Sequence, residues 1–252
     1  MENTPRVIIN ADDYGLNEHC SKAIAQAFAE GLITDTTMMA TGEYFDPAVT
    51  LAQEQGFFSQ IGIHLNLTEG KPLTQDILQF PSLTENGVFC RKNTRNQKLS
   101  KEEQDAVYQE LSAQIKRLEE AGITITHADS HHHIHTDIYI APIAHRVCKE
   151  HGITKLRLHR NVGAIPFYKK ILKNRFNKQI RREGFCTTDY FAYPMDVQGA
   201  DIPDNTEIMV HPDYNDDGVL IDRTGASSGV PSKPLPDFRA GRKITLRGYA
   251  QL

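Results

Sequence analysis

Cysteine is scarce and scattered. Cys20, Cys90, Cys148 and Cys186 are the only four in 252 residues, and no two of them form a C-x-x-C pair. That spacing argues against a disulfide framework and a thiolate zinc site; it suits reduced thiols in core or incidental positions. No apolar run is long enough to span a bilayer. Met1 to Arg6 leads straight into Val7-Ile8-Ile9 without a basic region and a long apolar stretch, so no secretory signal is read and the cytoplasm is the expected location. An excess of one charge is missing too: 28 Lys and Arg stand against 32 Asp and Glu, a formal net charge of -4. Such a balance sets up no global field for nucleic acid or an anionic membrane, so the expected partner is a small molecule, with a homo-oligomer allowed. Internal repeats and low-complexity tracts are absent as well.

What the chain does have is 39% apolar residues, enough for one sizeable core, and a single α/β domain over residues 1–252 is expected. Short β-rich runs alternate with segments of helical period, the pattern of a parallel sheet covered by helices. The strands read as RVIIN, TDTTMMA, IGIHLNL, ITITHAD, KLRLH, TTDYFAY and EIMVH. Helices are expected over Glu18 to Glu30, Pro47 to Gln55, Lys101 to Ala121 and Ile140 to His151. The third opens with the capping box Ser100-Lys101-Glu102-Glu103 and ends at Gly122. Residues 71–99, punctuated by Pro72, Pro81 and Glu85-Asn86-Gly87, read as a loop excursion or lid. After Asp213 the chain turns rich in Gly, Pro, Ser and Asp, and only Lys243 to Leu246 reads as a further strand.

In barrels and doubly wound sheets, functional groups gather at the carboxyl ends of the strands. Those ends here are Asp12-Asp13, His64, Asp129 to His135, Arg157 to Arg160, Asp189 and His211. So regular a recurrence of ionisable groups after apolar strands points to a shared polar pocket. Neighbouring strand residues face opposite ways, so Asp12 and Asp13 serve one site only if the strand is already breaking, and Tyr14-Gly15 is the expected break. Two such close carboxylates repel, and a divalent cation would stabilise both as anions. His64 shares its strand parity with Gly62 and Asn66, against Ile61, Ile63, Leu65 and Leu67.

The run HADSHHHIHTD, His127 to Asp137, holds five histidines and two aspartates. Extended, it sets His131, His133 and His135 on one side; helical, it sets His131 and His135 together. Spacing does not choose among the three. One carboxylate with two imidazoles makes a mixed oxygen and nitrogen site with open positions, suited to Zn²⁺, Mn²⁺, Fe²⁺ or Co²⁺ and less to Mg²⁺. Such an ion lowers the pKa of a coordinated water from about 15.7 to near 7 and polarises a carbonyl. Asp12 is then a candidate proton acceptor and His211 a candidate donor to a leaving amine.

Taken together, VIINADDYGLN, TDTTMMATGEYF, IGIHLNLTEGKPL, TENGVF, ITHADSHHHIH, LRLHR and EIMVHPDY resemble the YdjC-like carbohydrate deacetylases, which include the chitooligosaccharide deacetylases. The resemblance covers the chain to about Asp213. It implies a distorted (β/α) barrel of about seven parallel strands related to the NodB-type polysaccharide deacetylases, a divalent metal (Mg²⁺ or Zn²⁺), and removal of an N-acetyl group from a chitin-derived sugar, with or without phosphate. It implies Asp13, His64 and His131 as metal ligands, Asp12 as general base, His211 as general acid, and Arg157 as the arginine that orients the base. The resemblance, not spacing, selects His131. Asp213 stands where the family pattern has glycine, and the tail from Gly218 departs from the usual closing helix and strand.

Two rival readings come from other classes. His135-Thr136-Asp137 with a distant histidine imitates the two-His-one-carboxylate triad of iron oxygenases. KKILKNRFNKQIRR, Lys169 to Arg182, sets Leu172, Phe176 and Ile180 beneath a basic face, a candidate patch for RNA or a phosphosugar.

Overall fold

The apolar run after Pro5 becomes β1 (Arg6–Tyr14), the strand on which the rest is assembled. In the computed structural model, which describes residues 4–90, 94–226 and 229–252, β1 lies between β2 (Asp35–Met38) and β8 (Thr206–Val210). Outside these come β3 (Ile61–Leu65), β6 (Ala128–Ser130) and β7 (Tyr190–Ala192), in the order β6-β3-β2-β1-β8-β7, all parallel. The seventh expected strand, KLRLH, is reduced to single bridges, Ala128 to Leu156 and Lys155 to Cys186. It is cut short because the Asn177 side chain takes both the N–H and the carbonyl of His159. Asn161 N–H donates to the Phe191 carbonyl beyond it, so the ring closes as a distorted barrel. ITITHAD likewise becomes a strand only at Ala128, although Thr126 and His127 already bond to β3.

Alternation along each strand sorts the side chains. Val7, Ile9 and Ala11 of β1, with Ile61, Ile63 and Leu65 of β3, join the apolar core outside the barrel. Asn10, Asp12, His64, Asp129 and Arg157 are buried in its interior. Gly62 belongs to the inner set because His127 packs there: a Cβ at Gly62 would lie 2.6 Å from the imidazole.

The helices α1 (Glu18–Ala29), α2 (Phe45–Gln55), α3 (Lys101–Glu120), α4 (Ala141–Glu150) and α5 (Phe167–Arg182) cover the outside. Ser100 Oγ accepts from Glu103 N–H at 3.2 Å and Glu103 Oε2 accepts from Ser100 N–H at 2.6 Å, so the capping box forms. On α5 the expected apolar stripe is only partly covered: Ile180 is buried and Phe176 packs on the core, but Leu172 is 63% exposed. All four cysteines are free. Among the described residues no helix is long and apolar enough to cross a membrane.

The loop excursion holds a two-residue hairpin, β4 (Thr84–Glu85) with β5 (Val88–Phe89); its residues 91–93 lie outside the described residues, as do 227–228 of the tail. The tail first builds an antiparallel sheet of β9 (Pro212–Tyr214), β10 (Leu220–Asp222) and β11 (Lys233–Pro234) beside the barrel mouth. It then returns to β1 through β12 (Thr245–Leu246), as a parallel pair at Arg6 and Val7.

Candidate metal centre

β1 runs through both carboxylates, and the break comes one residue before Tyr14-Gly15. Asp13 itself takes a left-handed φ of 71°, and the pairing to β2 shifts register between Ala11 and Tyr14. A short polar side chain tolerates that conformation better than most. The twist lets neighbouring residues serve one cavity, since Asp12 and Asp13 both line it. The turn beyond is tight enough that a Cβ at Gly42 would lie 2.0 Å from the Gly15 carbonyl oxygen. Asn17 caps α1, accepting from Cys20 N–H at 2.9 Å.

Asp13 Oδ1 is the meeting point. His64 Nε2 lies 3.0 Å from it and His131 Nδ1 2.8 Å, and the three groups together could hold a metal ion. Each imidazole has a carboxylate behind its other nitrogen: Asp129 Oδ1 is 2.7 Å from His64 Nδ1, and Glu69 Oε2 is 2.9 Å from His131 Nε2. Such partners fix which nitrogen faces the ion and make it more basic. Burial would raise Asp13, but His131 and His64 outweigh it and hold the carboxyl well below the usual range. Burial would likewise lower His64, but Asp129 and Asp13 prevail and raise it to about 10. Charge and donor set both fit a divalent cation.

The histidine run is neither extended nor α-helical. It is a 3-10 turn, His131–Thr136, with left-handed φ of 51° at His132 and 55° at His133. His131 alone of the three candidates reaches Asp13. His133 Nε2 lies 3.0 Å from the Tyr193 hydroxyl, and His135 Nδ1 lies 2.5 Å from Ser130 Oγ. Asp137 accepts from the N–H groups of Asn96, Tyr139 and Ile140, so it caps a turn and the oxygenase-like triad does not form.

Arg157 grips Asp12 with a two-pronged pair, Nη1 to Oδ2 at 2.6 Å and Nη2 to Oδ1 at 2.7 Å. It also meets Asp129 Oδ2 at 2.5 Å and Glu207 Oε1 at 2.7 Å. Burial alone would raise Asp12; the guanidinium overrides it and keeps the carboxyl ionised. His211 stands at the cavity edge, Nε2 3.8 Å from Asp13 Oδ2 and Nδ1 3.1 Å from Thr224 Oγ1. The cavity encloses about 500 Å³, walled by Tyr193, by Arg95 from the loop excursion and by Arg223 from the tail. Sequence pattern alone does not point to Glu69, Tyr193, Arg95 and Arg223. Glu69 had a faint signal, a carboxylate in the loop just past the His64 strand.

A barrel whose mouth gathers an aspartate and two carboxylate-backed histidines that could hold a cation is an α/β barrel with a candidate metal site. The chain belongs to the YdjC-like protein family, whose model matches residues 6–236. Among its relatives, a carbohydrate deacetylase of Brevibacillus brevis is 35% identical over 98% of this chain and 99% of its own. Carbohydrate deacetylase 1 of Listeria innocua is 32% identical over 84% of this chain and 83% of its own. A crystal structure from Enterococcus faecalis, of a protein proposed to cleave cellobiose phosphate, is similar with a TM-score of 0.71, at 23% identity over 99% of both chains.

Proposed function

We propose that this chain is a metal-dependent carbohydrate deacetylase that hydrolyses the N-acetyl group of a chitin-derived oligosaccharide, plain or phosphorylated. The observation that carries the reading is the convergence of Asp13, His64 and His131 on one point within reach of a carboxylate and a further imidazole. Asp13, His64 and His131 would hold the cation, with Mg²⁺ or Zn²⁺ the expected ion. When bound it supplies Lewis acidity toward the acetyl carbonyl and acidifies a water.

The polypeptide's own groups do the rest. Asp12 accepts a proton from the attacking water as the new C–O bond forms, and Arg157 and Asn10 hold its carboxylate for that purpose. His211 donates a proton to the nitrogen as the C–N bond breaks, releasing acetate and a free amino sugar. Tyr193 lines the cavity with its ring backed by Arg160, and Arg95 and Arg223, the latter paired with Asp213 at 2.6 Å, place two guanidinium groups on the wall where the phosphate of a phosphorylated substrate could be met.

The test is acetate release from N-acetylated chitobiose and its phosphorylated form, with and without chelator, for wild type, Asp12→Asn and His64→Ala. Chelator-sensitive release, lost in both variants, with metal binding lost only in His64→Ala, supports the reading. Absence of acetate from every N-acetyl sugar removes it.

A further inference from the structure

Beneath the metal centre the barrel is closed by the chain's own tail. β12 joins β1 at the end opposite the cavity, and the following 3-10 turn, Tyr249–Gln251, carries Tyr249 into full burial. The ring lies flat on His127, centroids 3.6 Å apart at 8°. Its N–H donates to Asp35 Oδ1 at 2.9 Å, its carbonyl accepts from Lys155 Nζ at 2.5 Å, and its hydroxyl donates to Glu207 Oε2 at 2.5 Å.

Both sides of this ring lead to Asp12. From the hydroxyl the path runs through Glu207 to Arg157 Nε, 2.7 Å, and from Arg157 to both oxygens of Asp12. From the ring face it runs through His127, whose Nε2 lies 3.0 Å from Asn10 Oδ1, and then from Asn10 Nδ2 to Asp12 Oδ1 at 2.9 Å. A tyrosine that merely filled space would not need its hydroxyl. We propose that Tyr249 is a positioning residue that acts through Glu207 and Arg157 to hold the Asp12 carboxylate in its working orientation, so that the carboxyl-terminal segment completes the active site from below.

The physical case is one of anchoring. Arg157 is shared among the buried carboxylates Asp12, Asp129 and Glu207, and its fork keeps one tilt only while its Nε edge is held. Glu207 holds that edge, and Tyr249 fixes Glu207 in turn. Burial pushes Glu207 up to about 7 against the pull of Arg157 and Tyr249, so the hydroxyl also favours the anion that the Nε–H needs. A displacement of about 1 Å at a catalytic group costs on the order of 100-fold in rate.

The inference rests on the reading of Asp12 as the base, and the experiment separates the two. Tyr249→Phe keeps the ring on His127 and removes only the hydroxyl; Glu207→Gln keeps the shape and removes the charge. In each variant kcat for acetate release is expected to fall at least tenfold, with KM within twofold and Zn²⁺ affinity within threefold of wild type. The Arg157 Nε–H proton resonance should shift. A Tyr249→Phe protein with kcat within twofold of wild type and an unshifted resonance overturns the inference. So does a loss of kcat matched by loss of Zn²⁺ binding. If Tyr249→Phe does not fold, the same readouts on Glu207→Gln decide. A wild type without chelator-sensitive acetate release removes the Asp12 reading and this inference together; an active wild type with unaffected variants removes only the inference.

Discussion

Replacing Asp129 with asparagine takes the charge from behind His64 and leaves the three donor groups in front untouched. Burial disfavours a positive partner on this imidazole, yet Asp129 at 2.7 Å and Asp13 at 3.0 Å raise the group from 6.5 to about 10. At about 1.4 kcal/mol per tenfold, that net rise, left after burial has pulled the other way, is on the order of 5 kcal/mol in favour of positive charge on the ring. Asp129 is the nearer, is fully buried and raises the group more than Asp13 does, so its charge is the larger part of what the substitution removes. Zn²⁺ affinity in Asp129→Asn is therefore expected to drop toward the upper end of the range of about 10–100-fold for lost partners of metal-bound histidines. Glu69, behind His131, is 52% exposed at its side chain. Water screens that charge, and Glu69→Gln should cost less than about tenfold. Titration calorimetry with Zn²⁺ at neutral pH measures both. Wild-type affinity in Asp129→Asn, or a greater loss in Glu69→Gln, would refute the reasoning.

Three further outcomes are expected. Asp12→Asn should lose about 10²–10⁴-fold in kcat while binding Zn²⁺ within a few-fold of wild type, as steady-state kinetics and calorimetry will show. Arg157→Ala strands several buried carboxylates and should lower the unfolding free energy in urea by about 3–5 kcal/mol. Burial pushes Asp35 up to about 7 from 3.8, and its Oδ2 has no hydrogen-bond partner among the described residues. Between those two values the folded chain keeps a proton that the unfolded chain has lost, so this group withdraws stability as pH rises through the window. Asp35→Asn should therefore match wild type near pH 4 and exceed it above pH 7, by about 4 kcal/mol at most, with equal curves at all pH values counting against the shift.

The barrel and most of its strand ends were legible because alternation is a local property: IGIHLNL announces which residues face the helices and that His64 does not. The left-handed turns at Asp13, His132 and His133 were not legible, since each is imposed by contacts from other segments. Extended and helical templates both misplaced the histidine run for that reason, and only the resemblance singled out His131. KLRLH looks like a strand, but Asn177, 18 residues beyond His159, ends its ladder. The tail carried the weakest signal. Its glycines, prolines and polar residues have no period, and the use of Tyr249 beneath the barrel depends on His127 and Glu207, both far from it in sequence.

The charge inside the barrel ties these observations to one further test. Asp12, Asp13, Asp129 and Glu207 are all buried, and among the described residues the guanidinium set between them is that of Arg157. Such an excess of carboxylate is unfavourable in a medium of low dielectric unless positive charge comes from elsewhere. His64 and His131 are both raised, burial in each case being outweighed by facing carboxylates. The facing carboxylates thus favour a proton on each imidazole of the metal-free chain, and two protons would bring the charge of one divalent cation. Binding the cation then exchanges protons for metal at nearly constant charge, without rebuilding the surrounding network. Zn²⁺ affinity should accordingly rise with pH, by about tenfold per unit for each proton released and ~100-fold per unit for two. Calorimetry in buffers of unlike ionisation enthalpy counts those protons directly. A count near zero would mean that the imidazoles are neutral without metal, and that the buried carboxylates find their compensation in some other way.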